Sequence, residues 1–406
     1  MSFEFARTDR PEDAGFSSAR LQRLIDVLSR DIDAKLVPGA VALIARKGKV
    51  VLHEALGLRD REANASMQRD SVFRIASMTK PLTSVAAMML AEEGRLSIAD
   101  PVAQYLPEFA ETQVAVDSDH AATLATEACR RPLTVQDLLR HTSGLTYAPL
   151  TGPALKQAYI DAGVGDLKHT NAEFTAKLAR LPLAYQPGTT FQYGFSTDVL
   201  GRVVEVVSGM SLDAFIEQHI CARLGMSNSG FAAVDASRAA EPQIDPATGK
   251  RPPMLREATM KPAWLSGGSG LMSTATDYLR FCQMLLDGGA LGDTRLLSPA
   301  TVRLMTSDHL APDSQHGPMM RTMFGALAPL PENGIGFGLG FAVRKESGRC
   351  ALPGSMGDCS WSGVSGTYFW IDPREQLIAI LMMQAPLQRM RYRYLMRAMV
   401  YQAMVG

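Results

Sequence analysis

The chain lacks a charge imbalance. Lys plus Arg total 41 and Asp plus Glu total 41, so its 406 residues carry no formal net charge. Nothing in that balance draws it to nucleic acid or to an anionic membrane. It also lacks long apolar runs. The longest, such as QLIAILMM (376–383), fall far short of a bilayer span. MSFEFARTDRPEDAGF at the start has no apolar core, so no secretory signal is expected. Cysteine is scarce. Five residues, an odd number and widely spaced, argue for a reduced cytoplasmic protein and against a disulfide scaffold. Cys350 and Cys359 are near enough to be neighbours, yet read better as buried free thiols. The seven histidines are scattered, with no H-x-x-x-H and no Cys/His cluster of zinc spacing. No metal and no cofactor is expected.

What remains is an ordinary globular composition, 46% hydrophobic and 20% charged. The length suits two or three average domains, or one large enzyme domain with a subdomain. The two ends read as strand-rich. PGAVALIARKGKVVLHEALGL (38–58) is two apolar runs split by Lys47-Gly48-Lys49, a hairpin signal. SGTYFWIDPREQLIAILMM (365–383) repeats it around Asp372-Pro373-Arg374. Leu21, Leu24, Ile25, Leu28 and Ile32 mark a helix before the first hairpin. A second helix follows the last hairpin over 387–403, with Leu387, Met390, Tyr394, Ala398 and Tyr401 on one face.

The middle reads as helices at 77–93, 134–140, 171–180, 196–207, 211–223 and 274–287. Gly94, Gly209 and Gly225 are placed as stops, and Thr274-x-x-Asp277 as a capping box. The stretch 308–336, rich in Pro, Gly and Met, reads as a surface excursion. The fold class expected is α/β (α+β): one antiparallel sheet built from both chain ends, flanked by helices. Residues 1–75 and 260–406 would form it, and 76–259 a mostly helical subdomain. A cleft between the two is the natural ligand site.

RIASMTKPLTS (74–84) holds the sole S-x-x-K of the chain, Ser77 and Lys80. With 28 serines and 10 lysines, roughly 0.7 such matches arise by chance, so the motif alone decides nothing. Context adds more. Pro81 is harmless only in a first helical turn, which puts Ser77 at the helix N-terminus. Backbone N–H groups and the dipole there suit an oxyanion beside the serine. Lys80 lies on the same face, one turn in. Desolvation in an apolar cleft disfavours an ammonium, which would let a lysine accept the serine proton. The plain reading is an N-cap serine and a solvated lysine.

Three other stretches bear on that choice. In QPGTTFQYGFSTDVLG (186–201) a Pro-Gly turn leads to Tyr193, just before a helix. Tyr193 is either an acid/base group reaching the cleft or a core tyrosine with a bonded hydroxyl. In CSWSGVSGTYFWIDP (359–373), Trp361-Ser362-Gly363 opens an expected strand whose backbone N–H could complete an oxyanion hole. Gly363 and Gly366 would let a substrate approach closely. The plain reading is a twisted strand with a buried Trp. In LLRHTSGLTY (138–147), His141 ends a short helix and reads as a capping or packing residue, not a catalytic base.

Together these segments resemble the class C β-lactamase and DD-peptidase superfamily of serine hydrolases, over roughly residues 15–400. The motifs VPGAVALIARKGKVV, FRIASMTKPLTSVAAMMLAEEGRLSIADPVAQYLPEF, LTVQDLLRHTSGL, YQPGTTFQYGFSTDVLGRVVEVVSG, SGGSGLMSTATDYLRF and SWSGVSGTYFWIDP occur in family order. The resemblance implies a β-lactamase-like fold, Ser77 as the acylated nucleophile, Lys80 as base or relay, and Tyr193 as the tyrosine of Tyr-x-Asn. Two positions depart from the pattern. Phe195 stands where that motif has Asn, and Trp361-Ser362-Gly363 where the third motif is usually Lys-Thr-Gly.

Both departures look like the family VIII carboxylesterases. They imply a neutral aromatic wall of Phe195 and Trp361, with Ser362 and Gly363 also at the substrate, and a small-molecule ester as partner. The implied mechanism is two-step acyl transfer. Lys80 and Tyr193 take the Ser77 proton, the N–H groups of Ser77 and Val364 hold the oxyanion, and Tyr193 protonates the alcohol. Rival readings are hydrolysis of β-lactams, peptides or amide oligomers, acyl transfer, and a non-catalytic sensor on the same fold.

Overall fold

The computed structural model describes residues 4–245, 247–251 and 257–406. Among them nine strands make the main sheet. They are β1 (Ala6–Arg7), β2 (Gly39–Arg46), β3 (Lys49–Asp60), β4 (Ala65–Ser66), β5 (Ile335–Phe337), β6 (Ala342–Arg344), β7 (Cys359–Ser362), β8 (Tyr368–Asp372) and β9 (Leu377–Met382). Their order is β1-β3-β2-β9-β8-β7-β6-β5, with β4 also on β3. The sheet is thus closed by β2 pairing β9, one strand from each end of the chain. The expected architecture stands, with one change. β1 runs parallel to β3, so the sheet is mixed at that edge.

Both hairpins form where the turn residues demand. Lys47 and Gly48 take φ of 51° and 73° between the paired Arg46 and Lys49. Positive φ at both central residues gives the turn whose twist matches the strands. β8 and β9 pair from Asp372↔Leu377 to Tyr368↔Leu381. Both faces of the sheet are buried, which explains the continuous apolar runs. In β2, Ala40, Ala42 and Ile44 pack with α1 (Ser18–Asp33) and the C-terminal helix on one side. Val41, Leu43 and Ala45 join the larger core on the other.

The helices of the middle include α2 (Thr79–Glu92), α3 (Ser196–Ser208) and α4 (Ala275–Leu286), and α5 (Arg389–Tyr401) ends the chain. α2 is buried all round from Thr79 to Leu90, its polar Thr79, Lys80, Thr83 and Ser84 included. Gly94, Gly209 and Gly225 stop their helices with φ of 69°, 75° and 71°. Among the described residues no helix is long and apolar enough to cross a membrane. All five cysteines are free, Cys350 and Cys359 among the four that are buried.

Four local expectations need correction. α5 buries Tyr392, Arg393, Met396, Arg397 and Val400, whereas Leu387 is 69% exposed and Ala398 faces solvent. The hidden stripe contains two arginines, which a count of apolar residues cannot see. Only half of the capping box forms. The Thr274 hydroxyl accepts from the Asp277 N–H, but the Asp277 carboxylate accepts from the Asn228 N–H and the Ser229 hydroxyl instead. The stretch 308–336 is not an excursion. Gln315–His316 pairs in parallel with Thr190–Phe191, and Phe324 packs on Tyr193 and Trp361. Trp361-Ser362-Gly363 closes β7 and leads into a tight turn; it does not open a strand.

Candidate active site

A short 3-10 turn, Ala76–Met78, leads directly into α2. Pro81 therefore falls in the first turn, where its missing N–H costs nothing. Ser77 sits on this turn, 9% exposed. Its neighbour Ala76 holds φ at +46°, a left-handed conformation that costs a non-glycine residue of order 1 kcal/mol. That strain sits directly beside the serine.

Lys80 is 1% exposed and its three donors are all engaged. Nζ donates to Ser77 Oγ at 3.3 Å, to the Tyr147 hydroxyl at 3.2 Å and to the Gly268 carbonyl at 2.8 Å. Gly268 passes the interaction on: its N–H donates to the Asp198 carboxylate at 3.2 Å, which also accepts from Ser266 Oγ at 2.5 Å. Burial raises the Asp198 carboxyl, while the Lys80 charge opposes that rise. Burial, then Asp198 and Tyr193, push the Tyr147 phenol well above its ordinary range.

Tyr193 is 3% exposed, and Lys80 Nζ lies 4.6 Å from its ring centre. Its hydroxyl accepts from Trp361 Nε1 at 3.3 Å. That hydroxyl makes no hydrogen bond to Ser77 or Lys80. Trp361 is itself 3% exposed, flanked by Tyr193, Phe324 and Phe337 with ring centres 5.0–5.3 Å away. Phe195 is 8% exposed within a cage of Tyr147, Tyr159, Phe174 and Trp264. The two residues expected to form a neutral aromatic wall are mostly covered, with Tyr147 and Phe324 against them.

The turn after β7 is fastened to the serine. Ser365 Oγ donates to the Arg74 carbonyl at 2.7 Å and Thr367 Oγ1 to the Ile75 carbonyl at 3.1 Å. Gly363 N–H donates to the Thr367 carbonyl, closing the turn. A Cβ on Gly363 would strike both the Thr367 hydroxyl and the Ile75 carbonyl, so only glycine fits there. Arg393, buried on α5, donates to the Gly363 carbonyl at 2.7 Å. Burial, then Arg389, push its guanidinium down to about 10. Among the described residues no protein acceptor takes the N–H of Ser77 or of Val364. Donors without an acceptor are what an oxyanion site requires. Ser362 lies buried at the end of β7, paired with Tyr368.

His141 is buried among aromatic rings. Its ring lies 4.8 Å from that of Tyr193, and burial, then Lys80, push the imidazole well below its ordinary range. The contacts that the sequence did not reveal are Tyr147, Asp198, Gly268 and Arg393. A polar residue among apolar ones was the available signal for Asp198, inside STDVLG. For Tyr147 it was the Thr-Ser-Gly turn just before it.

Comparison with known proteins agrees with this layout. The family model described as "Beta-lactamase" matches residues 24–399. The protein is 36% identical to Protein Rv1367c of Mycobacterium tuberculosis over 360 residues, 87% of each chain. It is 30% identical to Esterase EstB of Burkholderia gladioli over 395 residues, 91% of each. Among solved structures, that of "EstCE1, a hydrolase with promiscuous acyltransferase activity" superposes with a TM-score of 0.77 at 29% identity, covering 94% of this chain and 99% of the other. By fold, motif order and sequence, the chain belongs to the beta-lactamase family.

Proposed function

We propose that the protein is a serine carboxylesterase acting on neutral esters of short to medium chain. The observation that carries it is the Ser77–Lys80 hydrogen bond at a strained helix N-terminus. Lys80 accepts the Ser77 proton, with the Tyr193 ring packed on its Nζ as the other half of the acid/base pair. Ser77 Oγ attacks the ester carbonyl, and the N–H groups of Ser77 and Val364 take the oxyanion. The alcohol leaves, and water releases the acid from the acyl-enzyme.

The substrate class follows from what lines the site. Phe195 stands where the family pattern has the Asn that bonds a substrate amide, and Trp361 where it has the Lys that attracts a substrate carboxylate; neither ring, mostly covered as both are, can do so. Arg393, the buried cation behind the turn, donates to Gly363. A carboxylate entering an aromatic site without a partner is costly. The similarity to Esterase EstB supports the same class. The five free thiols support a reducing compartment, the cytoplasm. The similarity to EstCE1, a hydrolase with promiscuous acyltransferase activity, favours a second reading, acyl transfer to an alcohol in place of water. Product analysis with an added alcohol would separate the two.

The test of substrate class is kcat/KM for p-nitrophenyl butyrate against nitrocefin. The ester should be turned over much faster. Trp361→Lys should move the ratio toward the carboxylate-bearing substrate, by a small factor while position 195 remains Phe. A nitrocefin preference in the unaltered protein would replace the esterase reading with a lactamase one.

A further inference from the structure

Among the described residues Arg393 is a buried cation with no carboxylate partner. It is 3% exposed on α5. One Nη donates to the Gly363 carbonyl at 2.7 Å, and the other meets Met390 Sδ at 3.4 Å. Nε is buried without a hydrogen-bond partner. The charged and titratable groups that face Arg393 are Arg389 and Tyr394 on its own helix, Tyr368 on β8 and Tyr193 in the site. None of these is a carboxylate. Arg397, one turn further along the helix, is by contrast bonded twice to Asp358. Burying a charge unpaired is costly, and an apolar side chain of similar volume would serve packing better. Even pushed down to about 10, the guanidinium keeps its charge at neutral pH.

Its oxygen acceptor lies on the turn that follows β7. The Gly363 carbonyl and the Val364 N–H are the two ends of a single planar peptide group. A cation on the carbonyl polarises that group and makes its N–H a stronger donor. The same turn is fastened to the Arg74 and Ile75 carbonyls, three and two residues before Ser77.

We infer that Arg393 is a positioning residue for the oxyanion, its unpaired charge strengthening the Val364 N–H through the Gly363–Val364 peptide. This rests on the acyl-enzyme reading above, in which that N–H holds the oxyanion, and adds to it the source of the donor's strength. Negative charge grows on the carbonyl oxygen as Ser77 attacks. A fixed positive charge one peptide away favours that charge more than it favours the neutral ester. The effect therefore belongs in kcat and not in KM.

The test neutralises the charge while leaving the guanidinium present. Met390→Glu sets a carboxylate beside Arg393, and Met390→Gln is its uncharged control. On p-nitrophenyl butyrate, Met390→Glu should lose about 10-fold in kcat, less than the loss of a whole oxyanion donor, with KM little changed. Met390→Gln should stay near the unaltered rate. The second readout is a trifluoromethyl ketone, which Ser77 Oγ attacks to leave an oxyanion whose titration fluorine NMR follows. A tenfold weaker hold raises that titration by about one pH unit. Met390→Glu and Arg393→Gln should both raise it, and Arg393→Lys, which keeps the charge, should raise it less. An unshifted titration in Met390→Glu, equal kcat losses in the two Met390 variants, or a loss confined to KM would overturn the inference. If Met390→Glu does not fold, the Arg393 pair decides: equal shifts in Arg393→Gln and Arg393→Lys would reduce Arg393 to holding the turn. An unaltered protein that forms the adduct but hydrolyses no ester would overturn the esterase reading, while the titration would still judge this inference. No adduct at all would overturn both.

Discussion

Lys80 holds one neighbour with each donor, Ser77, Tyr147 and Gly268. Removing the amine should therefore do more than remove a charge. Lys80→Ala and Tyr193→Phe are each expected to lose at least about 10²-fold in kcat. Their combined loss should fall well short of the product, because both groups serve one proton. Single and double variants assayed on p-nitrophenyl butyrate would check this; a Tyr193→Phe variant at full rate would make Tyr193 a packing residue. At this scale the sequence disclosed what is local. Ser77, Lys80 and Pro81 lie within five residues, so helix geometry alone relates them. Tyr147 reaches Lys80 across 67 residues and Gly268 across 188. No periodicity links such positions; only the folded chain does.

The turn after β7 shows how an element carries the chemistry. Ser365 and Thr367 fasten it to the backbone before Ser77, and Arg393 holds it from behind. Gly363→Ala forces a Cβ into the Ile75 carbonyl and the Thr367 hydroxyl. In the proposed mechanism this would move the Val364 N–H away from the oxyanion. A fall in kcat of about 10²-fold is expected, the scale of losing one oxyanion donor. KM should change little. Unchanged kcat for that variant would remove Val364 from the oxyanion site. Among the elements, hairpins and helix stops were legible because their signals are single turn residues such as Lys47-Gly48 and Gly209. The buried face of α5 was not. Of its two arginines, Arg397 is paired with Asp358 by two bonds of 2.8 and 2.9 Å and bonds the Tyr368 hydroxyl at 2.6 Å, and Arg393 donates to the Gly363 carbonyl. A paired arginine can be buried, but pattern counts it as polar. The 308–336 segment misled for the opposite reason: Pro and Gly mark an irregular backbone, not an exposed one.

Over the whole molecule, stability depends on buried carboxylates of the helical region as well as on the sheet. Asp137 is one. Burial would raise its carboxyl, but the Arg131 pair, Thr142 and Arg140 hold it down at about 2, against an ordinary 3.8. A depressed carboxyl stabilises the fold above its unfolded value, here by at most about 2 kcal/mol. That contribution is lost as pH falls from about 4 through about 2. Asp137→Asn should lower stability at neutral pH and flatten the acid limb of an unfolding curve. Superimposable curves for variant and unaltered protein would contradict this. The layout of sheet and helices was legible from the sequence because both ends of the chain carry strand signals that only each other can complete. The covering of Phe195 and Trp361 was not, since it depends on segments distant along the chain.

The central claim is that Ser77 becomes acylated, and one measurement meets it directly. The protein is mixed with a fluorophosphonate, digested, and its peptides are fragmented in a mass spectrometer. The account predicts one adduct, on Ser77, and none in Ser77→Ala, which should also lose ester hydrolysis while staying folded. An adduct on another serine, or a Ser77→Ala variant that still hydrolyses esters, would contradict it.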